Sequence, residues 1–220
     1  MIKTVNILVV DDHDLMRMGL VRILNDIDGF SVVGEASSGE EAIKMARGLS
    51  LDVILMDVKM PGIGGVEATR RLVAVNENVK VIAVTSCEDE LYPSRLLQAG
   101  AVAYLTKKAQ PEEVIKAVNM VMSGKSYVSQ EIAQQLALKN TGLTNGPDAL
   151  FDQLSERELQ IAMMTVRGEK PAVIAEKLNI SSKTINSYRY RIFEKFDISS
   201  DVELVHLAIK HKVFDVDTLE

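Results

Sequence analysis

Apolar, largely β-branched runs recur through the first half of the chain, at residues 5–10, 30–36, 53–57, 79–84 and 102–105. Between these runs, apolar residues are spaced three and four apart, as in Leu20, Ile23 and Leu24, which is the spacing of one helix face. Regular alternation of strand and helix implies a parallel sheet covered by helices on both faces, with right-handed crossovers. The pattern therefore predicts an α/β domain over residues 1–125, a doubly wound five-stranded parallel sheet of order 2-1-3-4-5.

The pattern changes beyond the last of these runs. A helical segment is followed by a stretch dense in turn formers, from Asn140 to Asp148, so residues 126–150 are assigned to a helix and an interdomain linker. Residues 151–220 show no convincing strand and are predicted to form a small all-α domain.

Helix signals within this second domain are specific. Ser155 precedes Glu158 by three residues, which is the spacing of a capping box and predicts the start of a helix. Further along, a short helix over about 172–178, a tight turn at 179–181 and a helix over about 182–196 follow one another. Two helices joined by a three-residue turn predict a helix-turn-helix, a motif that places its second helix in the major groove of DNA.

The composition fits ordinary hydrophobic cores, since 47% of the residues are hydrophobic. No stretch approaches the roughly 18 uninterrupted apolar residues of a transmembrane helix, so no membrane contact is expected. The N-terminus, Met1 to Thr4, leads directly into a strand and lacks the apolar core of a signal peptide. The single Cys87 cannot form an internal disulfide and is interpreted as a packed or loop thiol. These features predict a cytoplasmic location.

The net charge of −6 argues by itself against nucleic-acid binding. The charge is unevenly distributed, however, because residues 181–195 carry one acidic side chain, Glu194, against the basic side chains of Lys183, Arg189, Arg191 and Lys195. A basic stripe on the second helix of a helix-turn-helix is consistent with DNA contact, although it is weak evidence alone.

Acidic residues end two of the apolar runs. Asp57 ends the third run and is followed by Pro61-Gly62, while Asp11 and Asp12 end the first run. The carboxyl ends of parallel strands meet at one edge of the sheet, and the first and third strands are neighbours in the predicted order. Carboxylates this close repel one another unless a cation lies between them, and an oxygen-rich pocket suits Mg²⁺. Asp57 is then predicted to accept a phosphoryl group as an aspartyl phosphate.

Two further strand ends supply groups for the same anion. The fourth strand ends at Thr85, whose hydroxyl can donate to a phosphate oxygen, and the fifth leads through Tyr104 to Lys107, whose ammonium can pair with the phosphate. Neither residue alone identifies a phosphate site. The ordered set of carboxylates, hydroxyl and lysine at four strand ends does identify one. His13 is interpreted as a helix-start residue beside the acidic pocket rather than as a catalytic group.

These residues stand in motifs that resemble the receiver domain of response regulators. The motifs are Val9-Val10-Asp11-Asp12-His13, Leu55-Met56-Asp57-Val58-Lys59-Met60-Pro61-Gly62, Val84-Thr85 and Tyr104-Leu105-Thr106-Lys107. The resemblance implies a sensor histidine kinase as phosphodonor, Mg²⁺ as cofactor, and Asp11, Asp12, Asp57 and the backbone carbonyl of Lys59 as its ligands. It also implies that Thr85 and Tyr104 form a switch pair. Lys108 stands where many receivers have proline, and Ser86-Cys87 also departs from many relatives.

On a helical wheel of residues 182–196, the apolar side chains of Ile185, Ile192 and Phe196 fall on one face. The opposite face is polar and suits a major groove, where asparagine can pair with adenine and arginine or lysine reaches guanine or phosphate. Arg189 lies near the buried side, so its guanidinium is expected to reach outward to a backbone phosphate. The candidate DNA contacts are Lys183, Thr184, Asn186, Ser187, Arg189, Tyr190 and Arg191.

The second domain is similar to the LuxR-type DNA-binding domain of the NarL/FixJ family. The motifs are Leu154-Ser155-Glu156-Arg157-Glu158, Gly168 and the run from Ile174 to Ile185. The run from Thr184 to Arg191, Thr-Ile-Asn-Ser-Tyr-Arg-Tyr-Arg, is similar to the GacA/UvrY group within that family. The resemblance implies promoter DNA as partner, bound by a homodimer that acts with RNA polymerase. For the group, it implies promoters of small regulatory RNAs as targets.

The leading hypothesis is a non-enzymatic transcriptional regulator of a two-component system, activated by phosphorylation of Asp57. Its chemistry would be limited to self-phosphorylation from a donor and slow self-dephosphorylation. One alternative is a Mg²⁺-dependent phosphatase that uses Asp57 as nucleophile, but Val58-Lys59 supplies no nearby general acid. The other is a phosphorelay protein whose second domain binds protein. The last helix, with Leu204 and Ile209, serves either dimerisation or core packing.

Overall fold

The computed structural model describes residues 4–85, 92–140, 148–151, 153–211 and 213. The chain forms two compact units, residues 1–88 with 92–136 and residues 89–91 with 137–220. Ser86, Cys87 and most of the expected linker, residues 141–147, lie outside the described residues.

The first unit contains, within its described residues, a six-stranded parallel sheet of order β2-β1-β3-β4-β5-β6. The strands are β1 (Val5–Val10), β2 (Phe30–Ala36), β3 (Val53–Asp57), β4 (Lys80–Thr85), β5 (Ala103–Thr106) and β6 (Tyr127–Val128). The helices are α1 (Asp14–Asn25), α2 (Gly39–Ala46), α3 (Gly64–Val75), α4 (Tyr92–Gln98), α5 (Pro111–Met122) and α6 (Gln130–Asn140).

Hydrophobic cores on both faces of the sheet explain the apolar runs. On β1, Ile7 and Val9 lie in one core with residues of α1 and α5, whereas Leu8 and Val10 lie in a second core with residues of α2 and α3. Every residue of β3 is buried. Strands that are covered on both faces consist of continuous apolar runs rather than alternating apolar and polar residues. This is why these strands could be predicted from the sequence.

The predicted strand order is confirmed, and one strand is added to it. Tyr127 and Val128 pair in parallel with Ala103 and Tyr104 of β5, and the Tyr127 hydroxyl donates to Glu113 at 2.9 Å. This edge strand has two residues. A run that short carries no periodicity, so the sequence pattern gave no signal for it.

In the described residues of the second unit, helices joined by turns are the secondary structure present. Its helices are α7 (Asp148–Phe151), α8 (Glu156–Val166), α9 (Pro171–Lys177), α10 (Ser182–Phe196) and α11 (Asp201–Lys210). The capping box of Ser155 and Glu158 is present, and Ser181 accepts a hydrogen bond from the Thr184 amide to begin α10. The short α7 is an addition to the prediction, since it lies in the stretch assigned to the linker.

The predicted apolar face of α10 forms the core of this unit. Ile185 and Ile192 are fully buried, and the Phe196 ring meets the Phe151 ring edge to face with centroids 5.0 Å apart. On α11, Leu204 is buried whereas Ile209 remains exposed. The single apolar face predicted for α11 is therefore divided, with Leu204 packed in the core and Ile209 open. Among the described helices, none has the length and apolar character to cross a membrane.

Candidate functional site

The acidic residues come together at the carboxyl ends of β1 and β3, which are adjacent parallel strands. Asp11 and Asp57 are each 1% exposed, and Asp12 is partly buried. One ligand atom from each of Asp11, Asp12, His13 and Asp57 lies within 4.8 Å of the others. The predicted acidic pocket is therefore formed, because the fold places two buried carboxylates side by side.

Lys107 supplies the positive charge of this pocket. Its Nζ lies 2.8 Å from Oδ2 of Asp57 and 2.9 Å from Oδ2 of Asp11. Burial acts to lower the pKa of the ammonium, but hydrogen bonds with Asp57 and Asp11 outweigh burial and the pKa is raised. Lys107 therefore stays charged, and its position lies where an anion attached to Asp57 would be held.

Asp57 has a perturbed acidity. Burial raises its pKa to about 6, with the neighbouring charge of Asp11 acting in the same direction and the hydrogen bond from Lys107 opposing both. A carboxylate with this pKa is ionised at neutral pH and costs less to convert to an acyl phosphate than a strongly stabilised one. Asp57 thus combines burial, ionisation and a fixed cation, as a nucleophilic carboxylate requires.

The loop after β3 is held by contacts that sequence reasoning missed. The Lys59 amide donates to Oδ1 of Asp57 at 3.3 Å, and Oε1 of Glu40 accepts from the Ile63 amide at 3.0 Å. Gly65, the second residue of α3, lies so close to β3 that a Cβ there would be 2.1 Å from the Asp57 carbonyl oxygen. The Gly64-Gly65 pair was the available signal, because adjacent glycines often mark a close backbone approach.

Arg17 is a second residue that sequence reasoning missed. Its Nη1 donates to the main-chain carbonyl of Asp11 at 2.7 Å, Nη2 donates to Asp14 at 2.6 Å, and Nε lies 3.4 Å from Glu35. The hydrogen bond with Asp14 raises the pKa of the guanidinium against the effect of burial. Arg17 thus fixes the backbone from which the Asp11 carboxylate projects.

The donor set fits a hard divalent cation. Two carboxylates that are almost fully buried share one ammonium, so the pocket keeps an excess of negative charge that a cation would neutralise. Carboxylate oxygens are the ligands that Mg²⁺ prefers. The His13 side chain lies close to these carboxylates, with Nδ1 2.8 Å from Oδ1 of Asp12, but it is 68% exposed.

Thr85 and Tyr104, the expected switch pair, are both fully buried. Thr85 ends β4 and pairs in register with Thr106 of β5. The Tyr104 ring lies in a core with Leu96 of α4 and Ile132 of α6. The ring is therefore turned inward.

The candidate DNA contacts all lie on α10. Most of them are exposed, and the Tyr190 ring is 72% exposed. Thr184 and Arg189 are partly buried, and the exposed members are Lys183, Asn186, Ser187, Tyr190 and Arg191. The helix thus presents the predicted polar face opposite the buried Ile185 and Ile192.

Several of these residues have contacts within the unit. The guanidinium of Arg189 pairs with Asp201 of α11 and also donates to the Asn186 side-chain oxygen at 3.0 Å. The Ser187 hydroxyl donates to the Lys183 carbonyl at 3.0 Å. The Arg189 pair was not foreseen, because Asp201 lies beyond the end of α10 and no helical spacing links the two. Whether Arg189 also contacts phosphate stays a prediction.

An ion pair between the exposed Lys195 and the buried Glu158 fastens the C-terminal end of α10. Lys195 Nζ lies 2.6 Å from Oε2 of Glu158, which also accepts from the amide and the hydroxyl of Ser155. Lys195 donates as well to the Gln153 carbonyl at 2.9 Å. Burial acts to raise the pKa of Glu158, but the hydrogen bonds from Lys195 and Ser155 lower it overall. The capping box and the end of α10 are therefore one network.

Two protein families match the chain. Residues 7–119 match the response regulator receiver domain, and residues 152–208 match the bacterial regulatory proteins of the luxR family. Response regulator GacA of Pseudomonas viridiflava is 56% identical over 213 residues, which are 96% of this chain and 98% of that protein. Response regulator UvrY of Escherichia coli K12 is 50% identical over 215 residues, 98% of each chain.

A solved structure of the RcsB response regulator of Salmonella typhimurium is also similar. It has 22% sequence identity and a TM-score of 0.69, and the match covers 95% of this chain and 98% of that one. At that identity, the likeness concerns the fold. It agrees with a parallel α/β unit followed by a helical unit.

Proposed function

The chain belongs to the response regulator family, with a receiver domain followed by a LuxR-type DNA-binding domain, and from this premise we propose that Asp57 is the phosphoacceptor that controls its binding to promoter DNA. The observation that carries the proposal is the position of Asp57. It is a buried carboxylate at a strand end, paired with Lys107 at 2.8 Å and flanked by Asp11. The chain is accordingly a transcriptional regulator of a two-component system.

The phosphodonor is a phosphohistidine on a sensor histidine kinase. An oxygen of the ionised Asp57 carboxylate attacks phosphorus, a new O–P bond forms as the N–P bond breaks, and the departing imidazole nitrogen keeps the electron pair. Asp57 is ionised at neutral pH because its pKa is about 6. Lys107 is placed to hold the transferred group, and the Lys59 amide, 3.3 Å from Oδ1, orients the attacking carboxylate.

Asp11, Asp12, Asp57 and the backbone carbonyl of Lys59 are proposed to hold Mg²⁺. When bound, the ion neutralises charge on the phosphoryl oxygens during transfer. The support for this ligand set is the spacing of the carboxylate oxygens, within 4.8 Å of one another, and the net negative charge that Lys107 leaves in the pocket. Arg17 contributes by fixing the Asp11 backbone.

Thr85 and Tyr104 are proposed to transmit the change. Thr85 donates its hydroxyl to the phosphoryl group, and Tyr104 keeps its ring in the inward position seen in the structure. Because Tyr104 packs against α4, a preference for the inward ring stabilises one arrangement of α4 and β5 over others. A phosphoryl group then shifts the population toward that arrangement, without creating it.

The exposed face of α10 is proposed to enter the major groove of promoter DNA, as a homodimer on paired half-sites. A single short recognition helix buries little surface, so two copies are needed for useful affinity. By its similarity to response regulators GacA and UvrY, the chain is proposed to act in the cytoplasm, with RNA polymerase, at promoters of small regulatory RNAs.

The two alternatives are not favoured. A phosphatase needs a general acid for the leaving group, and Val58-Lys59 offers none after Asp57. A phosphorelay protein would have no use for a DNA-binding domain, whereas residues 152–208 match one. The chain is therefore not proposed to turn over a substrate.

The experiment uses the full chain, acetyl phosphate and Mg²⁺. Intact-mass analysis should show one added phosphoryl group on the wild type and none on Asp57→Asn. Phosphorylation should tighten binding to duplexes selected from genomic DNA by at least about tenfold, and Asp57→Asn should show no change. Phosphorylation that persists in Asp57→Asn, or binding that ignores phosphorylation, would overturn the proposal.

A further inference from the structure

One hydrogen-bond chain connects α11 to a residue that the proposed function assigns to base reading. The guanidinium of Arg189 donates through Nε and Nη2 to the two carboxylate oxygens of Asp201, the first residue of α11. The remaining nitrogen, Nη1, donates to Oδ1 of Asn186 at 3.0 Å. These hydrogen bonds therefore connect Asp201, in α11, through Arg189 to Asn186 on the exposed face of α10.

The central member of this chain has little freedom. A guanidinium is planar and pairs with a carboxylate through two parallel hydrogen bonds, which fix its orientation as well as its position. The Arg189 side chain is 20% exposed and lies 5.7 Å from the ring centroid of Phe193. The direction in which Nη1 points is consequently set by Asp201.

The direction of Nη1 decides which end of Asn186 faces it. A carboxamide has an acceptor oxygen and a donor NH₂ group, whereas a guanidinium has donors only. The oxygen of Asn186 therefore faces Arg189 and accepts from it with one of its two lone pairs, which orients the NH₂ group toward another partner. Asn186 is itself exposed.

This arrangement conflicts with the usual asparagine contact. Asparagine pairs with adenine by accepting from N6 and donating to N7 at once, which needs both ends of the carboxamide. Guanine presents two acceptors, N7 and O6, and thymine presents O4. Because Arg189 already engages the Asn186 oxygen and fixes the carboxamide, the NH₂ group is the freer end, which favours the acceptors of guanine or thymine over the paired acceptance and donation that adenine requires.

We propose that Asp201, acting through Arg189, is a specificity-determining positioning residue that makes Asn186 a hydrogen-bond donor in the major groove. The base read by Asn186 is guanine or thymine, and adenine is disfavoured. The inference rests on the proposed function, because it assumes that α10 enters the major groove. Beyond that function, it names the base that the Asn186 side chain selects.

The test is selection of binding sites from a random pool of duplexes by the phosphorylated full chain, followed by sequencing. Asn186→Ala identifies the base pair that Asn186 reads, as the position whose preference disappears. In the wild type, that position should hold guanine or thymine. Asp201→Ala should free the carboxamide and raise adenine relative to guanine or thymine at that position by roughly fivefold or more, leaving other positions unchanged.

Three further proteins make the test specific. Glu203→Gln is the matched control, because Glu203 lies in the same first turn of α11 but accepts from Ser199 and Ser200. It should keep the wild-type preference. Arg189→Met should reproduce Asp201→Ala. The double variant Asn186→Ala, Asp201→Ala should match Asn186→Ala, since Asp201 acts only through Asn186.

Three results would overturn the inference and leave the proposed function intact. They are adenine at the position that depends on Asn186, an unchanged preference in both Asp201→Ala and Arg189→Met, and an effect of Asp201→Ala that persists without Asn186. A wild type that binds no duplex in response to phosphorylation would overturn the proposed function, and this inference with it.

Discussion

The ammonium of Lys107 lies 2.8 Å from the carboxylate of Asp57, although 50 residues separate the two in sequence. The same nitrogen lies 2.9 Å from Asp11, so one cation connects the ends of β1, β3 and β5. Both carboxylates are 1% exposed, and two buried like charges would be costly without it. The pair therefore explains how the buried Asp57 carboxylate stays ionised, and it marks where the proposed phosphoryl group would be held.

Replacing Lys107 tests this role. Lys107→Met keeps the aliphatic stem and removes the charge, and we expect phosphorylation of Asp57 by acetyl phosphate to slow by at least about tenfold, because a charge-assisted hydrogen bond is lost. Intact-mass measurements over time give the rate. Lys108→Met is the matched control, since Lys108 is adjacent and exposed. Equal rates for the two variants would show that the ammonium has no part in the transfer.

The pKa of Asp57 predicts how stability depends on pH without Mg²⁺. Burial raises this pKa from 3.8 to about 6, so the folded chain binds the proton more tightly than the unfolded chain does. The free energy of unfolding should therefore decrease as the pH rises from 3.8 to about 6. Asp57→Asn stays neutral, so it should stabilise the first unit by roughly 1–3 kcal/mol at neutral pH and by almost nothing near about pH 4.

Hydrogen exchange of peptides from β1 and β3, with EDTA present, measures this difference within the full chain. Slower exchange of Asp57→Asn at neutral pH is the expected result. The opposite sign, a variant less protected than the wild type at neutral pH, would mean that the ion pair with Lys107 outweighs the cost of burial.

Gly65 predicts a steric requirement next to Asp57, the proposed phosphoacceptor. A Cβ at this position would lie 2.1 Å from the Asp57 carbonyl and 2.8 Å from the Val58 Cα, so Gly65→Ala must displace β3 or α3. We expect it to destabilise the first unit by roughly 2–4 kcal/mol and to impair phosphorylation. Thermal unfolding of the full chain and the acetyl phosphate reaction are the measurements.

The control for this glycine is Gly19, which lies in α1 where an added Cβ would meet no atom within 4 Å. Gly19→Ala should stabilise the chain by roughly 0.5–1 kcal/mol, because alanine favours helix more than glycine does. If Gly65→Ala and Gly19→Ala had the same stability and the same phosphorylation rate, the close approach of α3 to Asp57 would have no consequence.

The network of Lys195 and Glu158 predicts the stability of the second unit. Lys195→Met leaves the Glu158 carboxylate buried without its cation, and we expect a loss of roughly 1–3 kcal/mol. Because the pKa of Glu158 is lowered in the fold, the network's contribution is present at neutral pH and is lost as the pH falls through that folded value. Hydrogen exchange of α8 and α10 peptides checks both points.

Lys183→Met is the comparison for that substitution, since Lys183 lies exposed at the other end of α10. It should leave stability within about 0.5 kcal/mol of the wild type and weaken DNA binding with a smaller salt dependence. A Lys195→Met protein as stable as Lys183→Met would show that the network does not hold α10 in place.

The fold and the centre of the candidate site followed from sequence for a clear reason. Strands buried on both faces are continuous apolar runs, and their ends are marked by residues that cannot be buried cheaply, such as Asp57. The bounds of α10 were predicted because Ser181 can cap it and its apolar face is complete. Such signals are local, so a single sequence displays them.

What the sequence did not reveal depends on contacts between distant segments. The pairs Arg189 with Asp201 and Glu40 with Ile63 join different elements, and no spacing rule connects their members. The edge strand at Tyr127 was too short for a pattern. Whether a charged side chain pairs within the fold is a property of the packed structure, which is why the sequence predicted a phosphate contact for Arg189 and did not reveal its pair with Asp201.

The central claim is that phosphorylation of Asp57 controls which DNA the chain occupies in the cell. Genome-wide footprinting of the wild type against Asp57→Ala, with and without the inducing stimulus, tests it most directly. The account predicts a set of promoters that the wild type protects only on stimulation and that Asp57→Ala never protects. Stimulus-dependent protection of the same promoters by Asp57→Ala would contradict it.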